Sequence, residues 1–217
     1  PYYVAYKQDQ KMEDLRNLVR TDEPKSTEGE DTSSTLPGIW VDSGANAVAG
    51  EKIERFTVDG DGYERSVVDA NSYDLPDQVY LELLGLLQID AIDLDLPLLV
   101  GAKVVPLRYG AGWYEASSPI GEKGRATILG HASSYNRRFF TNLPKLEVGD
   151  KIRIVQDNRT LHYDIYKIDY IPADELGYYL TDSDVDSEIM LVSCYPRPTW
   201  EQRILVYAKL VDTENKN

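Results

Sequence analysis

Residues 189–210 have the sequence IMLVSCYPRPTWEQRILVYAKL, which predicts two apolar strands joined by a turn. The first strand ends at Cys194, the only cysteine in the chain. Two prolines mark the turn, and the second strand begins at Arg203. A thiol at the end of a strand, facing a guanidinium across a tight connection, suits a nucleophile with an anion-stabilising partner. The alternative to a catalytic role for a lone cysteine is a structural one, as a small buried apolar residue.

The 217-residue chain is acidic, and this limits the kinds of partner that it can bind. The net charge of −14 argues against nucleic acid, because no basic stripe is present to neutralise phosphates. A single cysteine can form neither an internal disulfide nor a thiolate metal site. No cofactor and no metal are predicted, and a monomer is expected.

Residues 1–85 are predicted to form an N-terminal appendage rather than part of the main domain. Residues 4–20 have the apolar spacing of a helix, and residues 21–35 are polar throughout, which favours a solvated linker. A hairpin is expected around the sequence DGDG at 59–62. The apolar segment LPGIW at 36–40 suggests either a lid on a tether or part of a plain stalk.

Residues 86–217 are predicted to be an all-β domain. Residues 88–97 alternate apolar and acidic side chains, and residues 161–171 form a longer alternating strand. Residues 80–87 fit either a helix or a strand. The regular strand spacing fits a closed or nearly closed β-barrel of about seven or eight short strands.

The two histidines of the chain have different settings in the sequence. His131 follows an apolar strand and precedes a polar run, so its side chain can project from the rim of the barrel. His162 lies on the wetter side of its strand, where a surface role is favoured. Because only a few per cent of an ordinary thiol is ionised at neutral pH, Cys194 needs a base or a cation nearby. Arg203 is preferred to Arg197 for that cation, since it opens a strand and its position is fixed.

Several separated segments resemble the sortase family. GHASSY at 130–135 is similar to the histidine region of sortases, and LVSC at 191–194, followed by an arginine nine residues later, is similar to their cysteine signature. The resemblance extends over residues 86–211. Ser193 and Met190 stand where the family usually has threonines. Further similar segments are FF at 139–140, LPKLEVGD at 143–150, and residues 89–101, 107–112 and 116–121.

The resemblance implies an eight-stranded sortase-type β-barrel in which His131, Cys194 and Arg203 meet. Cys194 would attack a Leu-Pro-x-Thr-Gly-like sorting signal, Arg203 would stabilise the oxyanion, and His131 would move protons. The acceptor would be an amine of a peptidoglycan precursor or a pilin lysine. The enzyme would act at the extracellular face of the membrane, anchored by a segment outside this sequence. Substrate contacts are expected from Ser193, Arg197, Tyr135 and Trp200.

Several alternatives stay open at this point. The cysteine region is most similar to sortases of classes D, E and F, and class C pilin polymerases share its Cys-to-Arg spacing. Glu175, Asp182 and Asp184 offer oxygen ligands for a calcium site, but acidic loops are common in so negative a chain, and no metal is predicted there. In other functional classes, the domain would be a peptide-binding barrel without catalysis or a hydrolytic cysteine peptidase.

Overall fold

The computed structural model describes residues 2–20, 36–43, 56–58, 64–66, 77–132, 139–180 and 183–216. The helices are α1 (Tyr2–Arg20), α2 (Val104–Tyr109) and α3 (Leu176–Tyr179). The strands are β1 (Gly38–Asp42), β2 (Phe56–Val58), β3 (Glu64–Ser66), β4 (Gln78–Ile89), β5 (Leu94–Val100), β6 (Ala111–Trp113), β7 (Arg125–Leu129), β8 (Lys151–Val155), β9 (Arg159–Pro172), β10 (Glu188–Tyr195) and β11 (Gln202–Asn215). Short 3₁₀ turns occur at Asp90–Ile92, Phe140–Lys145 and Ala173–Glu175. Among these described segments, no helix is both long and apolar enough to span a bilayer.

Eight strands form a closed ring, which confirms the predicted all-β barrel. Their order around the ring is β4-β5-β6-β7-β10-β11-β9-β8, and an antiparallel pairing of β8 with β4 closes it. The β5–β6 and β7–β10 pairs are parallel, and the other pairs are antiparallel. Closure pairs each of the eight ring strands on both sides, whereas β1, which pairs only with β4, is an edge strand outside the ring.

Strand β4 changes its partner along its length, and Gly85 lies at the change. Residues 78–82 pair with β1, whereas residues 86–88 pair with β8. Gly85 has a φ of 154°, and a Cβ built there would clash with the carbonyl oxygen of Val155 on β8. Only glycine therefore allows the two backbones to approach closely where the ring closes.

The N-terminal helix α1 and strand β1 pack against the strands of the barrel. The predicted helix is confirmed as α1, and its Leu15 is fully buried in a cluster with Val41 and Leu81. Arg16 of α1 donates hydrogen bonds to the carbonyl of Asp95 at 2.9 and 3.2 Å. The open choice for residues 80–87 is decided in favour of a strand, since β4 runs without interruption across position 85.

The other N-terminal predictions have mixed outcomes. The hairpin is confirmed by the antiparallel pairing of β2 with β3. Its turn and the linker at 21–35 lie outside the described residues. Residues Gly38–Asp42 form strand β1 against β4. A role for residues 36–40 as a lid stays a prediction.

Two apolar clusters cover the two faces of β10. The barrel interior holds one face, with Ile189 and Leu191 fully buried. The second set, called the outer cluster here, covers the other face and includes residues of α2 and α3. The outer cluster contains Leu107, Leu129, Leu176, Leu180, Met190, Val192, Leu205 and Tyr207. Because both faces are buried, residues 189–192 of β10 are continuously apolar rather than alternating.

Replacement of Gly85 tests whether the ring depends on this close approach. We expect Gly85→Ala to lower the free energy of unfolding by about 1–3 kcal/mol more than Gly149→Ala. Gly149 is the matched control, since it also has a positive φ of 102° but no atom lies within 4 Å of a Cβ built there. Urea denaturation measures both variants. Equal losses of stability would contradict the steric account.

Candidate active site

His131, Cys194 and Arg203 lie at one end of three neighbouring strands. The β10–β11 pairing sets Cys194 directly opposite Arg203. In the parallel β7–β10 pair Val192 is opposite Leu129, and the amide of Gly130 donates to the carbonyl of Val192. His131, just beyond the end of β7, therefore lies beside the end of β10 that carries Cys194. Because neighbouring strands are about 4.8 Å apart, the three residues form a row across the sheet.

The row is on the outside of the barrel. Alternate residues of a strand point to opposite faces, and Leu191 belongs to the interior while Val192 belongs to the outer cluster. Cys194, two residues beyond Val192, packs against that outer cluster. Leu129 and Leu205 of the flanking strands belong to it as well. Arg203 is two residues before Leu205 on β11 and therefore shares the outer face with Cys194, while His131 follows Leu129 by two residues, just beyond the end of β7.

The position of His131 is set by contacts on both sides. Ser193 is fully buried, and its hydroxyl donates a 2.8 Å hydrogen bond to the carbonyl of Gly130. This bond ties the residue before the thiol to the residue before the imidazole. On the other side, the ring of Phe139 meets the imidazole edge to face, with centroids 6.5 Å apart. The imidazole itself is half-buried.

Arg203 is held by backbone carbonyls and is largely removed from water. Only 6% of its surface is exposed. Its Nη1 donates hydrogen bonds to the carbonyls of Trp200 and Gln202, at 2.8 and 2.7 Å. Burial lowers the pKa of the Arg203 guanidinium to about 10, so it remains charged at neutral pH. A charged guanidinium on the residue paired with Cys194 favours a thiolate and any negative charge that develops there.

A groove of about 500 Å³ opens beside the half-buried Cys194. One wall is the β10–β11 turn, and the other is the 3₁₀ turn Phe140–Lys145. Ala132, the neighbour of His131, also lines the groove. The thiol is therefore open to a bound chain while its backbone belongs to a buried strand. The groove is lined by Ala132, Thr141, Asn142, Pro144, Lys145, Cys194, Tyr195, Pro196, Arg197 and Pro198.

The expected substrate contacts have different placements. Arg197 is exposed and lines the groove, whereas Trp200 is half-buried and lies outside the set of lining residues. Trp200 has a φ of 57°, and its backbone carbonyl accepts from Arg203. The expected substrate contact of Ser193 is corrected to a structural role, because its hydroxyl is buried and bonded to backbone. Tyr135 lies outside the described residues.

The remaining sequence candidates lie away from this row. His162 is half-buried on β9, with its Nε2 3.5 Å from Glu214, and Asp212 is its partner across the strands. Glu175 and Asp184 are exposed, and Asp182 lies outside the described residues. His162, Glu175 and Asp184 are not among the described residues that line the groove beside the thiol.

The wall of the groove formed by residues 141–145 was not singled out as a contact surface in the sequence. Pro144 and Lys145 lie in the segment 143–150 that resembles sortases, whereas Thr141 and Asn142 lie just before it. One proline and one lysine in a short loop of mixed polar and apolar residues give no periodic signal. Only the fold brings this loop opposite the cysteine turn.

Comparison with known proteins agrees with the geometry. A family model described as the Sortase domain matches residues 87–211. Sortase A of Bacillus anthracis is 25% identical over 167 residues, which cover 73% of this chain and 78% of that protein. Sortase D of Bacillus subtilis (strain 168) is 28% identical over 130 residues, covering 58% of this chain and 63% of that protein.

Solved structures support the same assignment. The crystal structure of sortase C1 from Streptococcus agalactiae has a TM-score of 0.56 and 28% identity, covering 62% of this chain and 70% of that one. The matched residues include β7, β10 with Cys194, the turn that follows it, and most of β11. Since that profile spans more than half of the chain, the protein belongs to the sortase family, whose members are cysteine transpeptidases.

Proposed function

We propose that this protein cleaves a Leu-Pro-x-Thr-Gly-like sorting signal and transfers the preceding polypeptide to an amine of the cell wall. Sortases act at the cell surface of Gram-positive bacteria, which supports a surface protein as the acyl donor. The observation that carries the proposal is the row of His131, Cys194 and Arg203 on one face of adjacent strands, beside an open groove.

The acylation step uses all three side chains. The thiolate Sγ of Cys194 attacks the carbonyl carbon of the threonine, and the carbonyl oxygen becomes an oxyanion. Arg203 stabilises this negative charge. As the C–N bond breaks, His131 gives a proton to the departing glycine amine, and a thioester remains on Cys194.

The second step reverses these roles. An acceptor amine attacks the thioester carbon, His131 takes the proton from that nitrogen, and the Sγ–C bond breaks to regenerate the thiolate. The products are a new amide and the original enzyme. A cell-wall precursor amine is the favoured acceptor, and a pilin lysine is the alternative, since sortase C structures are among the similar folds.

A peptide-binding barrel without catalysis is the alternative from another functional class. The half-buried thiol and the buried cation beside it favour the enzyme, because simple binding does not require a charged guanidinium held out of water. The two functions differ in whether a covalent adduct forms.

Formation of a thioester tests the proposal directly. Incubation with a Leu-Pro-x-Thr-Gly peptide should add the mass of the acyl fragment to the protein, and hydroxylamine should release it. Because Cys194 is the only cysteine, an adduct of this kind maps to one atom. Cys194→Ala should form none. A wild-type protein that binds the peptide but never gains the acyl mass would establish the non-catalytic barrel instead.

The two histidines provide an internal control for the role of His131. We expect His131→Gln to lower kcat/KM for transpeptidation by about 10²- to 10⁴-fold, because the proton donor and acceptor is lost. His162→Gln should retain wild-type activity, since its side chain lies on β9, remote from the row. Rates are measured with excess acceptor amine, and equal effects of both variants would contradict the assignment.

The alkaline limit of activity tests Arg203. The ordinary pKa of a lysine side chain is about 10.4. The burial that lowers the pKa of Arg203 to about 10 should also lower the pKa of a lysine at this position below that ordinary value. Its positive charge would then be lost at a lower pH than that of the guanidinium. We therefore expect Arg203→Lys to move the alkaline limb of kcat/KM toward neutral pH.

Arg153→Lys is the control for this pH profile, because Arg153 is on β8 and pairs with Asp90 outside the groove. Its profile should match that of the wild-type enzyme. An Arg203→Lys enzyme with an unchanged alkaline limb would exclude a charge-dependent role for residue 203.

A further inference from the structure

The groove beside Cys194 differs in charge from the rest of the protein. The chain has 37 acidic residues against 23 lysines and arginines. Among the described residues that line the groove, two are cations, Lys145 and Arg197, and none is acidic. A solvated surface of so acidic a chain would be expected to include carboxylates, so this cationic lining is a local departure that favours an anionic ligand.

The two cations come from different walls of the groove. Lys145 ends the 3₁₀ turn Phe140–Lys145, and Arg197 lies in the turn between β10 and β11. Both residues are exposed, so their charges can meet a ligand without the cost of full burial. A chain bound between the walls would pass both cations next to the reacting thiol.

The backbone on both sides is stiffened by proline. Pro144 precedes Lys145, and Pro196 and Pro198 flank Arg197. Since each proline fixes its own φ, the two cations are attached to backbone with few alternative conformations. A positioned cation loses less conformational entropy when it binds a carboxylate than one on a flexible loop.

Resting on the proposed transpeptidase function, we propose that Lys145 and Arg197 form a subsite for a carboxylate side chain of the acyl-donor peptide. The preferred sorting signal then has an aspartate or glutamate within or next to the Leu-Pro-x-Thr-Gly-like segment. The interaction is electrostatic and exposed to solvent, so it should weaken as ionic strength rises.

Single-turnover acylation measures this preference without any acceptor amine. The probes are acetylated and amidated Leu-Pro-x-Thr-Gly peptides in which one position at a time, at x and in two residues on each side, is Glu, Gln or Lys. At one or more positions we expect the second-order rate constant of acylation to be roughly threefold to thirtyfold higher for the Glu peptide than for the Gln peptide. Lys should be poorer than Gln at the same position.

Charge reversal provides the decisive variants. Lys145→Glu with Arg197→Glu should invert the order, so that the Lys peptide becomes the best of the three. Lys103→Glu is the matched control, because this exposed lysine lies outside the groove and its replacement should leave the preference for Glu unchanged. An unaltered order in the reversed variant, or equal rates for Glu and Gln at every position, would overturn the proposal.

Binding of the same peptides to Cys194→Ala separates this proposal from the proposed function. Dissociation constants from fluorescence anisotropy should be lower for the Glu peptide than for the Gln peptide, and 0.5 M salt should reduce the difference. A preference in binding without any thioester in the wild-type protein would retain the anion subsite and reject the transpeptidase. Acylation that is indifferent to Glu would do the reverse.

Discussion

The parallel pairing of β7 with β10 is the constraint on which the candidate site depends. It is held at both ends by side chains. Arg125 and Glu188 are register partners at the start of the pair and form a buried ion pair, while Ser193 donates to the carbonyl of Gly130 at the other end. A slip of one residue would send the thiol to the opposite face of the sheet, and it would also leave the carboxylate of Glu188 buried without its cation.

Burial on both sides makes this pairing rigid. The interior cluster fills one face of β10 and the outer cluster covers the other, so residues Glu188–Ser193 are all buried. Exposure begins only at Cys194, where the strand leaves the protection of the outer cluster. Cys194, the proposed nucleophile, is thus the first residue of β10 that a substrate can reach, and its backbone is still fixed by the strand pairing with Arg203.

Local patterns in the sequence were sufficient for part of this arrangement. The apolar runs on either side of the two prolines predict the β10–β11 hairpin, and a hairpin that short brings Cys194 and Arg203 together with few alternatives. The placement of His131 is different, because the β7–β10 contact joins residues 63 positions apart in sequence, as Glu188 and Arg125 show. No local pattern specifies a parallel neighbour, so the resemblance to sortases supplied what physics alone did not. The second wall of the groove, with Lys145, was missed for the same reason.

The division of the site between strands and turns separates chemistry from recognition. The row of imidazole, thiol and guanidinium is attached to paired strands, where a displacement would break many hydrogen bonds and open the packed clusters. The groove walls are turns, whose side chains can change without disturbing that pairing. Since Lys145 and Arg197 are exposed and outside the strands, their replacement should alter which peptide is held and leave the row in register. Selectivity can therefore vary on this barrel while the reacting geometry is conserved by its register.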